Sequence, residues 1–561
     1  MEVIPKAMLK RILLLLSIPV WGFAQDLEAI GSQKPFAVNG SLDVRCIGYS
    51  VNGIAARRSP FMYMISGSPV FSVYGISIPL YFTYSEQDRS FRQPFNQLGM
   101  SPTYKWATVH AGYRNLTFSP YTLAGHTMLG GGVELNPGKL RLGFMMGRLN
   151  RATTIDTTTG AVQPYSFSRH GYAARIGVGT EDNHFDLSFL NARDAEKDFK
   201  GDLATSLVRP AANVVLGGDL KLTFAGKFFV FADGGISVYT GDRYSSIALF
   251  TDSTRLLNTV NRLIPLNGTS EYYMAYSGGL GYKQDNFSLK AAYRYVDPEF
   301  RSMGAYYFQN DIKNLTISPT LNMLNGKLRL MASIGIQDDN TKKQKQATTR
   351  RVIGLTNLSW DINEKLGLDA SYTNFSSNSE PVVALVQNKY LLTQTTANIS
   401  VSPRMVLANA RNTQMILLSY NNSNLKDVNE ETKIQNNINS TVALLNYNIT
   451  LNRPGLTLMS GVNYTVNKTA EGDMDNTGFS LGASKAFLKN KLQVGMQNSY
   501  VMSALPQGNS NILSLGGTAT YQPLPKHRMN LRINSLKNTY AESTGADFSE
   551  LTAELGYTLS F

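Results

Sequence analysis

Between Asn286 and Val296 the side chains alternate in character. Phe287, Leu289, Ala291, Tyr293 and Tyr295 take one parity, and Ser288, Lys290, Ala292 and Arg294 the other. Successive side chains of a strand point to opposite faces, so a strict period of two marks a strand with unlike surroundings on its two sides. Arg528–Asn534 repeats the pattern, with Met529, Leu531 and Ile533 opposed to Arg528, Asn530, Arg532 and Asn534. Lys139–Met146 does so again, Leu140, Leu142 and Phe144 opposing Lys139 and Arg141. Helical spacing fits none of these stretches. From about Ala37 to the end, alternating segments recur at the length of bilayer-crossing strands, roughly 10 residues.

The connections follow a rule too. Tight turns pair Asn, Gly, Pro or Asp with Lys: Asn136-Pro137-Gly138-Lys139, Ala225-Gly226-Lys227, Gln284-Asp285-Asn286, Asn325-Gly326-Lys327, Asn452-Arg453-Pro454-Gly455 and Lys489-Asn490-Lys491. Such chemistry closes hairpins. Longer polar links lie between the hairpins, at Ala152–Pro164, Thr240–Ser270, Asp338–Thr349 and Asn421–Asn436. Short turns at one end and long loops at the other are the asymmetry of a transmembrane barrel. A soluble β-sandwich or propeller also alternates. However, 561 residues with 17% charged and 43% hydrophobic side chains carry no linker and no fixed repeat of the propeller kind. Beyond the N-terminus no run of about 18 apolar residues occurs, which excludes helical spans. The chain ends on Leu551, Ala553, Leu555, Tyr557, Leu559 and Phe561 at every second position, a terminal strand able to close such a barrel.

The N-terminus reads as a cleaved secretory signal. Lys6, Lys10 and Arg11 precede the apolar run Ile12–Val20, and Gly22-Phe23-Ala24-Gln25 supplies small residues near the cleavage point. The expected organisation is therefore a signal peptide at 1–24, a short periplasmic segment at 25–36 and a transmembrane barrel at 37–561. Cys46, the single cysteine, lies too far downstream to be a lipidated first residue, and it excludes a disulfide scaffold or a CxxC-type zinc site. The pass along the chain gives 25 strand-like runs, from Val38–Tyr49 to Glu550–Phe561. Bacterial single-chain barrels have even counts, so the expectation is all-β, an antiparallel barrel of about 24 strands, with the miscount placed in residues 37–135.

If the apolar parity meets lipid, the polar parity lines the interior. Lys221, Lys290, Arg294, Arg329 and Arg532 are then lumen candidates, together with strand-start residues such as Lys139, Lys327 and Arg528. Asp186, Asp219, Asp233, Asp369 and Glu554 on the same parity offset them only in part, so the balance is positive and a basic lumen that attracts anions is expected. Two polar-aromatic stretches break the alternation, Phe91–Trp106 and Asp297–Asp311. Both are too aromatic for freely solvated loops and are read as constrictions, with Arg92 and Arg301 supplying charge, Phe95 and Tyr306 stacking surface, and Asp297 opening the second stretch.

No catalytic constellation stands out. His184, Asp186 and Ser188 share a strand face, but such positions lie ~6.5 Å apart along a strand, beyond direct hydrogen bonding. No Gly-x-Ser-x-Gly elbow between a strand and a helix is read, and HExxH is missing. No metal site, cofactor or enzyme activity is expected, and the basic residues are too dispersed for a nucleic-acid partner.

The Phe23-Ala24-Gln25 signal end, the alternating terminal strand through Tyr557 and Leu559 to Phe561, and Ser119-Pro120-Tyr121-Thr122-Leu123-Ala124-Gly125-His126 together resemble the large outer-membrane β-barrel proteins of Gram-negative Bacteroidota. That resemblance implies an integral outer-membrane protein in contact with lipid and with the barrel-assembly machinery, which recognises the terminal strand. It departs from plug-bearing energised receptors, since only about a dozen residues separate Ala24 from the first strand, and it shows no periplasmic domains of the usher kind. The leading functional expectation is a passive, porin-like channel for solute diffusion. The alternative is a structural barrel in an envelope secretion or motility complex, its lumen filled by a protein partner.

Overall fold

The computed structural model describes residues 35–86, 94–153, 166–199, 208–248, 255–305, 309–345, 347–381, 393–427, 436–453, 455–506, 508–541, 545 and 547–561. The expected signal peptide lies outside them. All strands join one antiparallel sheet that closes on itself. The terminal strand Phe548–Ser560 pairs with Ser41–Asn52 from Ser41↔Ser560 to Asn52↔Ser549. Gly40 and Phe561 extend that seam by exchanging both backbone hydrogen bonds at 3.0 Å.

The closed ring holds 26 strands, with three short strands outside it. The expectation of about 24 is close to this, and residues 37–135 are more finely divided than their pattern shows. The run read as Val38–Tyr49 breaks at Gly40 into Phe36–Asn39 and Ser41–Asn52. Gly40 sits at φ +140°, and a Cβ there would fall 2.6 Å from the Ser68 carbonyl oxygen. Further on, Phe61–Gly67 and Gln97–Met100 are separate wall strands, too short to show a clear alternation, on either side of the longer Ile76–Ser85.

The six turns read from the sequence all fall between paired strands. Ala225, Leu324, Asn325, Leu488, Lys489 and Asn490 take φ between +50° and +68° there, the left-handed conformation that tight hairpins require. The long links need correction. The strand Asn412–Asp427 takes in the first seven residues of Asn421–Asn436, because Asn and Ser on both parities hide a strand whose end is polar on each side. Asn422, for example, donates from Nδ2 to Asn439 Oδ1 at 3.0 Å across to the next strand. In the last third the connections at that end also include tight hairpins, as at Thr469↔Gly472 and Leu505↔Gly508.

Register assigns the two faces. The apolar parity carries widely exposed side chains, among them Leu280 at 64%, Ile334 at 61% and Leu481 at 66%, and it forms the convex outside. Its short-turn rim bears an aromatic chain: Phe224 on Phe228 at 5.7 Å, Phe228 on Tyr282 at 5.0 Å and Tyr282 on Phe287 at 6.2 Å. Tyr276 stacks on Tyr295 at 5.2 Å towards the other end, and Tyr272 lies beyond it. Tyr272 and Tyr282 share this face on one strand. Ten residues span ~33 Å of strand, or ~25 Å of barrel height at the usual tilt, the height of a bilayer's apolar band.

The interior is filled unevenly. Among the described residues, the apolar clusters buried inside the barrel draw only on residues between Leu116 and Ile312. Among the described residues after Ile312, the buried side chains are polar: Gln337, Asn340, Asp427, Ser503, Ser510 and Asn538.

Candidate functional site

One connection at the long-loop end, residues 116–126, folds onto the inner face. Leu116, Phe118, Ser119, Tyr121, Thr122, Leu123 and His126 are all buried there. The segment turns back on itself through Thr122 N–H to the Ser119 carbonyl at 3.2 Å and Phe118 N–H to that of Leu123 at 2.9 Å. The wall beneath it is stripped of side chains. A Cβ at Gly217 would lie 2.7 Å from Ser188 Oγ and 2.8 Å from Thr122 Cγ2, and one at Gly235 would lie 2.8 Å from Tyr121 Cβ. These glycines sit where the docked segment touches the sheet, because any side chain would occupy its place.

The second segment, 297–305, packs beside the first. Ala124 N–H donates to the Gly304 carbonyl at 3.0 Å, and Ser302 Oγ to that of Thr122 at 2.8 Å. Tyr121 and Phe300 meet edge to face at 5.9 Å. The wall holds this segment through Asn213 Oδ1, which accepts from Met303 N–H at 2.9 Å, and Ser237 Oγ, which donates to the Arg301 carbonyl at 2.6 Å. Asp297 anchors its start. Buried to 1% exposure, it accepts from Met274 N–H at 2.8 Å and Tyr295 Oη at 3.0 Å, and pairs with Lys342 Nζ at 3.0 Å. The sequence-based constriction reading therefore placed Asp297 and Arg301 within a docked segment, Arg301 lying 5.2 Å over the Tyr239 ring. Arg92 and Tyr306 lie outside the described residues. Phe95 is 53% exposed, unlike the buried Phe300. The 116–126 segment was not read as a constriction, although Ser119–His126 had drawn notice as a motif. Its signal was an apolar loop matched by glycines on the polar parity of distant strands.

The charged wall residues are largely compensated. Arg141 forks onto Asp186 at 2.9 Å, Arg169 meets Asp194 at 2.8 Å, Arg175 meets Glu134 at 3.1 Å, and Arg404 bridges Asp361 and Asp369. Asp186, Asp219 and Asp233 stand opposite one another on three adjacent strands. Lys221, Lys290, Arg294, Arg329 and Arg532 all fall on the polar parity, in different settings. Lys221 reaches Asp182 at 3.0 Å and Arg329 the Gly326 carbonyl at 3.1 Å, both near short turns. Lys290 lies 4.3 Å over the Phe231 ring. Arg294 sits beside Asp233 and Tyr121. Arg532 faces Glu554 across the sheet, and Arg45 also lies 3.3 Å from that carboxylate.

The apparent triad is dispersed into separate contacts. His184 Nε2 lies 2.7 Å from Asp219, Asp186 binds Arg141, and Ser188 Oγ accepts from Thr122 at 3.0 Å. At the C-terminus Tyr557 Oη meets His527 Nδ1 at 2.8 Å, while Leu559 pairs with Leu42.

No protein-family model matches the chain, and no curated protein matches it. Among solved structures, the P pilus usher PapC translocation pore aligns at 11% identity and a TM-score of 0.38, over 92% of this chain and 98% of that one. Acinetobacter baumannii OccAB4 aligns at 13% identity and 0.31, over 67% and 97%. Pseudomonas aeruginosa OccK2 (OpdF) aligns at 8% and 0.30, over 93% and 98%. At such scores the functional reading rests on this barrel's own faces and loops.

Proposed function

We propose that the chain is an integral outer-membrane barrel through which solutes diffuse passively, with a passage narrowed on one side by the docked segments 116–126 and 297–305. The outer face supports the membrane setting. Rings of exposed Leu, Ile, Phe and Tyr between two aromatic levels would be costly in water, at ~25 cal/mol for each Å² of apolar surface.

The observation that carries the channel reading is the uneven interior. In the strands from Asn412 to Leu524, the inner parity presents residues such as Ser419, Asn446, Asn463, Ser480, Gln497, Ser499 and Ser514. The described residues place no buried apolar cluster against this sector. A wall rich in hydroxyls and amides, with apolar residues such as Leu417, Leu444 and Ile512 interspersed and no core packed on it, is suited to face water. Because the basic wall residues are mostly paired, the anion preference expected from the balance of inward charges becomes a weak one, set by residues such as Arg294 and Arg532.

The test is conductance and reversal potential of the purified barrel in planar bilayers under a salt gradient. Steady conductance with a mild anion preference supports the proposal. A folded, heat-modifiable barrel that stays silent overturns it and favours the structural reading, with a protein partner in the lumen. The terminal strand through Phe561 would serve as the element read by the barrel-assembly machinery.

A further inference from the structure

The latter part of the connection between the strands Phe228–Thr240 and Ser270–Gln284 lies outside the barrel. Its helix Arg255–Asn261 and the residues after it lie against the outer face. Val260, Ile264 and Leu266 pack on Phe189, Ala212, Val214 and Val238, and these wall residues all belong to the outward parity. Asn191 fixes the segment by donating from Nδ2 to the Leu263 carbonyl at 3.3 Å. Val238 is paired with Tyr272, so the segment sits at the aromatic level of the long-loop end.

Between this segment and the adjoining strands lies an outward cleft of ≈ 360 Å³. His170, Arg193 and Arg262 line one part of it and Met146, Tyr172 and Leu263 another. The apolar members are open, at 51%, 37% and 39% exposure. Among the described residues no carboxylate pairs with Arg193 or Arg262. Asp198, the acid that acts on His170, accepts a hydrogen bond from Ser168 Oγ at 2.6 Å. Arg148 and Lys197 add positive charge around His170.

Cationic heads above exposed apolar surface, at the height where headgroups meet acyl chains, fit one kind of occupant. We propose that this cleft binds a phosphorylated glycolipid of the outer leaflet, with a phosphate on Arg193 and Arg262 and acyl chain against Met146 and Tyr172. The inference rests on the membrane reading above and adds a ligand on the outer wall. The free guanidinium donors favour phosphate over neutral headgroups, and the apolar floor favours an amphiphile over a soluble anion.

The full-length barrel would be reconstituted in phosphatidylcholine nanodiscs doped with bis-phosphorylated lipid A or its dephosphorylated form. Lipid retained after extraction would be read by native mass spectrometry. The wild-type chain should retain the phosphorylated lipid at least about tenfold better than the dephosphorylated one, as expected for one or two charge-assisted hydrogen bonds. R193Q/R262Q should lose that preference while keeping the heat-modifiable mobility of a folded barrel. K485Q/K491Q, which removes equal charge at the short-turn end, should retain the lipid as wild type does. Equal retention of both lipids, or no loss in R193Q/R262Q, overturns the inference. Full competition by millimolar inorganic phosphate also overturns it, by assigning the cleft to a soluble anion. A chain that fails to enter bilayers defeats the membrane reading as well, whereas one that inserts and conducts without retaining the lipid defeats this inference alone.

Discussion

Thr122 donates a hydrogen bond from its hydroxyl to Ser188 Oγ at 3.0 Å, joining a loop to a strand 66 residues further along the chain. Beneath that contact is Gly217, which pairs with Ser188 in the sheet. The loop is thus seated in a depression made by a missing side chain and pinned by two hydroxyls. It is a fixed part of the wall that narrows the interior from one side.

Filling the depression should unseat the loop. In G217V the new side chain would collide with Ser188 Oγ and Thr122 Cγ2, which a single Cβ already approaches to 2.7 and 2.8 Å. Overpacking of this kind costs ~1–3 kcal/mol, borne by the loop because the ladder hydrogen bonds of the strand are unaffected. Higher or noisier conductance and faster proteolysis within 116–126 are expected, with heat-modifiability unchanged. A variant with wild-type conductance and protease resistance would count against the seat.

The same loop should respond to acid. His126 is 4% exposed, and burial, with the charge of Arg169 as a second cause, pushes its pKa down to about 4. The docked loop therefore favours neutral imidazole. Its stabilisation is complete above the free-histidine value of ~6.5 and is lost as pH falls from there towards 4, reaching about 3 kcal/mol by linkage. Conductance should rise across that window in the wild type, and His126→Gln should flatten the rise. An identical pH profile in the variant would remove His126 from the explanation.

The strands and short turns were legible because each rests on local chemistry, a period of two and a left-handed turn residue. The docked loops were only half legible. Asp297–Asp311 announced itself by aromatic content, but the seat of residues 116–126 is assembled from Gly217 and Gly235, about a hundred residues downstream, and only register brings them under the loop. The charge pairing was legible only in part. The alternation already puts Asp186 and Asp369 on the inner parity, but only the folded wall brings Asp186, Asp194 and Asp369 into contact with Arg141, Arg169 and Arg404. The strand end at Asn421–Asp427 was hidden because a strand that is polar on both faces has no alternation to read.

Removing the anchor of the second loop should free that loop first. Asp297 accepts from Met274 N–H and Tyr295 Oη and pairs with Lys342. Asp297→Ala would lose charge-assisted bonds worth ~1.5–3 kcal/mol each before relaxation. Cleavage between residues 297 and 311 should accelerate by about tenfold or more, and the loop 116–126 should become partly susceptible through its lost contacts at Gly304 and Ser302. Unchanged cleavage at both loops would mean that the packing of Phe300 and Met303 suffices.

Position along the wall should decide which cation matters for selectivity. Arg294 lies beside Asp233 and the docked Tyr121, whereas Arg329 is turned to the Gly326 carbonyl at the rim. Exposed rim charges are screened within ~8–10 Å at physiological salt. Arg294→Gln should therefore shift the reversal potential towards cations, with a change in permeability ratio of up to about twofold, and Arg329→Gln should shift it less. The opposite order would place the narrow section at the short-turn end.

The single cysteine tests the membrane reading directly. Cys46 has the outward parity of its strand, paired with Leu555 on one side and Tyr63 on the other, and Leu555 is 56% exposed on the same face. Arg45 and Ile47 point inward, so a thiol at 46 meets whatever surrounds the barrel. If that is acyl chain, a charged reagent dissolved in water does not reach the thiol. In proteoliposomes Cys46 should resist a charged, water-soluble maleimide over hours. Replacing Arg45 with cysteine in a Cys46→Ser background should give a reactive thiol, because position 45 faces the aqueous interior. Rapid labelling of Cys46 in an intact, conducting barrel would reverse the two faces, and with them the placement of the docked loops inside.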